Sequence, residues 1–520
     1  MDTPKTISSS VRHFFCGSML SRITGVGRDI ALAFFLGSTP LLASFFVAFR
    51  FSYLLRRLLG ESVVSAGFVP YFEQLDIQSP KKAAAFFKDL NLFLSAFLFF
   101  LIIVGEFLLF WVRGHTQFYS QELFYVHWML PGLLFICLYA LNSSLLQCQR
   151  KFFLFSFAPT LFNLVWIGTI FYIRNMPLEQ GLVILSIGVT FAYFMQWLLT
   201  AVPSFFYLKM HYSLFTFFKD KIDLKVVAQI VKPLSFMLLG VGAMQINSLL
   251  DALFAKSASS EGPAYLWYAI RVQQLPIALF AVASMNALLP PLARAYEGKE
   301  YSQFENLFQD SLKKSSMMML IATFGIFSLG FLSIDLLFGR GAFDQNSAIM
   351  TTKCLWGYGL ALIPTAFVMI LNSAYYAKKN YVYPTIVSMV SVFFNIILNA
   401  FFIFQLKWGV VSIAVSTSIA AMIQALLLKK GLVKHVMGIS LANVYVFLLQ
   451  PFISSLVGGV LAFWASKNLL ILTSQFQLGM LTQLFNWSVA TGCYFFGIAV
   501  SMYLFRFKEM RQLATEMIRK

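Results

Sequence analysis

Charge is what this chain has least of. Only 12% of its 520 residues are Asp, Glu, Lys or Arg, about half the share of an ordinary soluble protein. Acid is scarcer than base, 21 residues against 39, which leaves a net charge of +18. The usual marks of chemistry are missing as well. His13, His115, His127, His211 and His435 are scattered in no metal-binding pattern, and no Gly-rich phosphate loop of the Walker type is present, so the sequence offers no ATPase and no enzyme signature. The five cysteines (Cys16, Cys137, Cys148, Cys354, Cys493) lie in or beside apolar runs without ligand spacing. They read as small core residues rather than a disulfide framework. No cleavable signal peptide is evident at the N-terminus.

Apolar sequence is abundant: 59% of residues are hydrophobic and the mean hydropathy is +0.76. Long continuous apolar runs, rather than short alternating ones, indicate membrane helices and not a barrel. A 19-residue window finds about fourteen spans. They lie near 11–37, 40–60, 86–112, 121–148, 154–173, 180–207, 228–256, 263–292, 313–338, 347–376, 382–406, 408–428, 441–466 and 483–506. The expected fold is an all-α polytopic membrane protein. The 59 phenylalanines read as lipid-facing and packing residues, not as a base-stacking surface, and no nucleic-acid partner is expected.

The positive residues explain their own excess. With a cytoplasmic N-terminus, alternate connections carry Lys81, Arg150, Lys151, Lys209, Lys225, Arg294, Lys378, Lys379 and Lys429, and the C-terminal tail adds Arg511 and Lys520. About twenty-five basic residues fall on that side against about six opposite, which places both termini inside.

The chain also repeats itself. Ala48-Phe-Arg50 with Leu54 matches Ala269-Ile-Arg271 with Leu275; Pro70 matches Pro290; Leu141-Asn-Ser143 matches Leu371-Asn-Ser373. Two six-span halves are implied, residues 1–210 and 211–435, with the connection Lys209–Lys225 as their boundary and 436–520 as an added helix pair and tail. Duplicated helical halves in the same orientation point to an alternating-access transporter.

One apolar run is interrupted by charge: Ser21-Arg22-Ile-Thr-Gly-Val-Gly-Arg28-Asp29. Charges at such depth are costly and face a bundle interior or a wet cavity. Arg22 and Asp29, seven residues apart, share a helix face; Arg28 points elsewhere unless Gly25 and Gly27 bend the segment. Arg50, Arg56 and Arg57 follow in the next span and Arg271 in the second half. Guanidinium forks suit phosphate, so the arginines are expected to line one cavity for an anionic substrate. Snorkelling of Arg56 and Arg57, or an ion pair of Asp29 with Arg22 or Arg28 that holds the fold, are the competing readings. Asp251, in Gln245-Ile-Asn-Ser-Leu-Leu-Asp251, is either a cation or proton site or the partner of an arginine. Asn372, Asn395 and Asn399 suit interhelical hydrogen bonding, and Glu106 and Asp335 sit near span ends.

These stretches resemble a known family. Ser21-Arg-Ile-Thr-Gly-Val-Gly-Arg-Asp-Ile, Phe45-Phe-Val-Ala-Phe-Arg50, Leu54-Leu-Arg-Arg57, Gly60-Glu61, Phe68-Val-Pro70, Leu250-Asp251-Ala-Leu-Phe-Ala255, Tyr268-Ala-Ile-Arg271 and Gln274-Leu-Pro276 are similar to the MurJ (MviN) lipid II flippases of the MATE-like superfamily. The resemblance implies two six-helix lobes around a cationic cavity and a final helix pair forming a lipid-side groove. It implies transport of the undecaprenyl-pyrophosphate-linked peptidoglycan precursor across the bacterial inner membrane. Arg22, Arg28, Asp29, Arg56 and Arg271 align with the family's cavity residues, and Asp251 with a position tied there to sodium. The chain departs from the family at Ala43 and Ile270, where acids are usual, and at Ser52-Tyr53, where Pro-Asn is usual; the lost acids make the cavity more positive. The expectation is a non-enzymatic flippase without cofactor, coupled to sodium, protons or membrane potential. It would work as a monomer among membrane lipids and cell-wall synthesis proteins. An exporter of another lipid-linked glycan or of small drugs, and a non-transporting scaffold, stay open on the sequence.

Overall fold

In hydrocarbon the backbone finds no water to bond, so a spanning segment must satisfy its own N–H and C=O groups. The apolar runs accordingly become helices. A computed structural model describes residues 4–59, 61–115, 120–212, 242, 245–435, 442–473, 479–505 and 507. Within them regular structure is helical throughout.

The chain divides into two compact units, Met1–Leu253 and Phe254–Lys520. The first holds α1 (Pro4–Leu36), α2 (Pro40–Leu59), α3 (Glu61–Gln78), α4 (Pro80–His115), α5 (Ser120–Met129), α6 (Gly132–Cys148), α7 (Phe152–Ile173) and α8 (Leu178–His211). It also holds most of α9, residues 245–258. The second holds α10 (Gly262–Pro276), which runs through a π-turn at Ile277–Val282 into α11 (Ala283–Glu297). Then come α12 (Tyr301–Phe338), α13 (Gln345–Gly359), α14 (Leu362–Ala377), α15 (Val382–Ala400), α16 (Val411–His435), α17 (Ala442–Thr473) and α18 (Met480–Leu504).

Nine described helices are long and apolar enough to cross a membrane, or eleven if each of two bent pairs counts as one span. The three remaining sequence-predicted spans have separate explanations. Residues 11–37 form part of α1, whose Arg22, Arg28 and Asp29 keep it off the apolar set. The apolar part of α2 is short, Pro40–Leu54. Residues 228–256 lie largely outside the described residues, as does the expected boundary connection from residue 213 onward.

The duplication is visible in the packing of each unit. In the first, α5 and α6 form a pair bent by 44°; in the second, α13 and α14 form one bent by 40°. The cores repeat too. Phe68, Phe72, Leu141 and Leu145 belong to one cluster of the first unit; Leu288, Leu292, Leu371 and Tyr375 belong to one cluster of the second. The spacing is 220 residues for the first two pairs (288−68, 292−72) and 230 for the last two (371−141, 375−145). The final pair, α17 and α18, packs on itself and against α12. Tyr494 donates to the carbonyl of Ile321 at 2.6 Å, and the Trp487 indole to Ser333 at 3.0 Å. Cys137 and Cys354 are buried, and none of the five cysteines is in a disulfide among the described residues.

The outward faces are apolar. Along α4, Phe99, Phe100, Phe107 and Phe110 are each more than half exposed, as a lipid-facing helix requires.

Candidate functional site

The charged interruption folds as one continuous helix, α1, which packs along α7. Asp29 is 3% exposed and Arg28 7%. The expectation that Arg28 points away from Asp29 fails: its Nε and Nη2 donate to Asp29 Oδ1 at 3.1 and 2.8 Å. The physical reason is reach, since a flexible arginine stem can swing its guanidinium around the helix without any break at Gly25 or Gly27.

Three further groups fix this guanidinium or its surroundings. Arg28 Nη1 donates to Asn163 Oδ1 at 3.1 Å, and the guanidinium carbon lies 4.6 Å from the ring centroid of Trp166. Asn163 in turn donates to the Ser21 carbonyl at 3.0 Å and to Thr24 Oγ1 at 3.2 Å. Asn163 and Trp166, three residues apart on α7, thus hold one face of a cation whose other edge is paired with a carboxylate. An arginine so placed is a pre-oriented, partly balanced charge in a dry environment, where each partner counts for more than in water.

The other arginines fall elsewhere. Arg22, six residues before Arg28, is exposed. Arg50 is buried and donates through Nη1 to the Ser248 carbonyl of α9 at 2.9 Å, one turn before Asp251. Arg56 and Arg57 both lie over the Tyr53 ring, at 5.2 and 5.3 Å. Arg271 belongs to the second unit and lies 4.2 Å over Trp267, one turn earlier on α10. Each unit therefore presents an arginine held over a tryptophan ring, an arrangement that offsets part of the desolvation of the guanidinium.

Asp251 is 6% exposed, and the Asn247 amide donates to its Oδ2 at 3.3 Å. A buried carboxylate beside an amide offers the hard oxygen chemistry a small cation uses, though the pair supplies few of the six or more oxygens a full shell takes. Among the described residues no group of three or more His, Cys, Asp or Glu could hold a metal.

Of the polar residues read as structural, Asn395 donates to Thr417 across helices at 3.4 Å, and Asn399 to Asn395 along one helix at 2.9 Å. Glu106 meets His127 of α5 at 2.5 Å. Sequence reading missed Asn163, Trp166 and Trp267. The available signal was a lone asparagine in the apolar run of α7; nothing local marked the two tryptophans as different from packing aromatics.

The family model described as "Lipid II flippase MurJ" matches residues 32–482. A probable lipid II flippase MurJ of Chlamydia trachomatis serovar D is 31% identical over 401 residues, covering 76% of this chain and 73% of that protein. A probable lipid II flippase MurJ of Aquifex aeolicus is 27% identical over 462 residues, covering 86% and 87%. Among solved structures, a lipid II flippase MurJ in an inward closed conformation superposes with TM-score 0.74 at 22% identity, covering 94% of this chain and 98% of that one. An inward-facing multidrug resistance MATE family transporter of the MOP superfamily gives 0.65 at 16%, covering 84% and 98%. At these identities the two structures establish a shared fold.

Proposed function

We infer how this chain works from one premise: it belongs to the lipid II flippase MurJ family, a transporter family, and it flips lipid II across the membrane as a multi-pass helical protein.

The observation that carries it is the buried Arg28 held on Trp166 and bonded to Asn163 and Asp29. The diphosphate of the lipid-linked precursor is the group that such arginines take. Three of the five guanidinium N–H donors of Arg28 are engaged, so the other two can donate to a phosphate oxygen without the guanidinium leaving its tryptophan. Arg22, Arg50 and Arg56 supply further positive charge in the first unit, and Arg271 is the counterpart of Arg50 in the sequence repeat. Asp29 competes with the diphosphate for Arg28, which makes the bound state releasable. The polyprenyl tail stays in lipid while alternating access moves the head group.

A cation or proton at Asp251, assisted by Asn247, or the membrane potential itself biases the cycle. A potential of 100 mV acting on one elementary charge is worth about 2.3 kcal/mol. The chain sits in a bacterial inner membrane with both termini cytoplasmic, from the distribution of its basic residues. It acts as a monomer, without cofactor, beside cell-wall synthesis proteins. The last helix pair and tail form an addition to two six-span lobes.

The test replaces a host's own flippase with this chain, wild type or Arg28→Ala, and assays outer-leaflet lipid II directly. Rescue by the wild type and loss in an equally abundant variant are expected. Full transport by Arg28→Ala would remove that residue from the mechanism, and absence of outer-leaflet lipid II from well-inserted wild type would overturn the reading.

A further inference from the structure

A second site lies within the Phe254–Lys520 unit. A cleft of about 270 Å³ opens where α12, α13 and α17 meet. Its walls are aromatic, Phe327, Phe331, Trp356 and Phe463, and two lysines, Lys353 and Lys467, stand on it. Both lysines are exposed.

Their placement is unusual for lysine. On α13, Lys353 falls in an exposed row with Ile349 and Trp356, continued by Leu360 at the helix C-cap; on α17, Lys467 falls in one with Phe463 and Leu470. Both rows are apolar apart from the lysine, as lipid-facing rows are. Neither lysine makes an ion pair with a described residue. Lys353 is eight residues into α13 from Gln345, and Lys467 six residues before the α17 end at Thr473. At about 1.5 Å per residue both sit roughly 9–12 Å inside their helix ends. Phe327 lies deeper, eleven residues before the end of α12 at Phe338. The cleft is therefore apolar at its floor and doubly cationic at its rim.

We propose that this cleft holds one anionic diacyl phospholipid, its acyl chain against Phe327 and Phe331 and its phosphate between Lys353 and Lys467. Charge selects the ligand. Two ammonium groups on lipid-facing rows, with no counter-charge among the described residues, are neutralised most cheaply by a headgroup phosphate, which a zwitterionic lipid offers less well. A large polar headgroup would find few partners in this cleft. The cleft's hydroxyls are committed to their own helices: Ser328 donates to the Phe324 carbonyl, Thr352 to that of Ala348 and Ser466 to that of Phe463. Little is left to read a glycan or peptide, so the site recognises charge and chain alone. In the orientation proposed above it faces the outer leaflet.

The full chain, purified in detergent, is titrated with phosphatidylglycerol or with phosphatidylcholine of the same acyl chains, and the first bound lipid is measured by native mass spectrometry. The expected result is at least tenfold tighter binding of phosphatidylglycerol. This preference is lost in Lys353→Gln/Lys467→Gln and kept in Lys353→Arg/Lys467→Arg. Lys467→Gln alone, at the rim, carries the same test with an expected threefold loss should the double variant not fold. Equal binding of the two lipids, or an unchanged preference in the glutamine variants, would overturn the site. So would one-for-one displacement of the bound phosphatidylglycerol by lipid II that the glutamine variant no longer binds, since the cleft would then belong to the transported substrate.

Discussion

Arg28 and Asn163, 135 residues apart in the chain, share a 3.1 Å hydrogen bond. Through it α7 sets the direction of the main charge on α1. The same asparagine reaches back to Ser21 and Thr24, so one side chain fixes both the helix and its cation.

Asn163→Leu removes these bonds while roughly keeping the volume. Leaving a buried charged donor short of a partner costs about 1–3 kcal/mol. The variant should unfold at lower temperature in detergent and lose lipid II transport. Asn163→Asp, which still offers oxygen to Arg28, should recover more stability than Asn163→Leu. Wild-type stability and transport in Asn163→Leu would show that Arg28 does not depend on it.

Trp166 is fully buried and carries the guanidinium on its face. Trp166→Phe keeps an aromatic face but a weaker one, and should cost about 0.5–2 kcal/mol with partial loss of transport. Trp166→Ala adds a cavity and should cost about 3–5 kcal/mol. Thermal unfolding of both variants beside the wild type separates the two effects, and equal behaviour of the Phe and Ala variants would count against a role for the ring face.

The final helix pair approaches at two glycines. A Cβ on Gly497 would stand 2.7 Å from Gly458 Cα, and one on Gly458 2.5 Å from the Tyr494 carbonyl oxygen. Small residues let membrane helices meet this closely. Gly458→Val should therefore push α17 and α18 apart and cost about 1–3 kcal/mol. At the adjacent Gly459 an added Cβ would meet nothing nearer than 3.7 Å, so Gly459→Ala should be near neutral. A melting temperature unchanged by Gly458→Val would refute the close approach.

Asp344 lies in the connection before α13 and caps that helix, accepting from the Ser347 hydroxyl and from the Ser347 N–H at 2.8 Å. The Ser347 hydroxyl first, then its N–H, hold the Asp344 carboxyl below the usual carboxylate range. A carboxyl lowered on folding contributes stability above its unfolded pKa and loses it as pH falls through the folded value. Asp344→Ala should cost about 0.5–2 kcal/mol at neutral pH, and the gap from wild type should close in acid. A gap that stayed constant from pH 7 down to strong acid would show that the carboxylate charge contributes nothing.

Read along the chain, the residues already specify a helical membrane protein with a basic side, a duplicated plan and a family motif centred on Arg22, Arg28 and Asp29. Those features are local or periodic. Hydropathy over about 19 residues, charges between spans and matches at fixed offsets can all be read along a line, and the paired cores of Phe68 with Leu141 and Leu288 with Leu371 keep the offsets seen in the sequence. The partners of each side chain came only from packing. Arg28 meets Asn163, and Arg50 meets the Ser248 carbonyl 198 residues away. Lys353 and Lys467, each unremarkable in sequence, come to one cleft. Which side chain faces which depends on the rotation of every helix about its axis and on packing between helices far apart in the chain. In lipid, where all outward faces are equally apolar, the pattern of hydropathy leaves that rotation weakly specified.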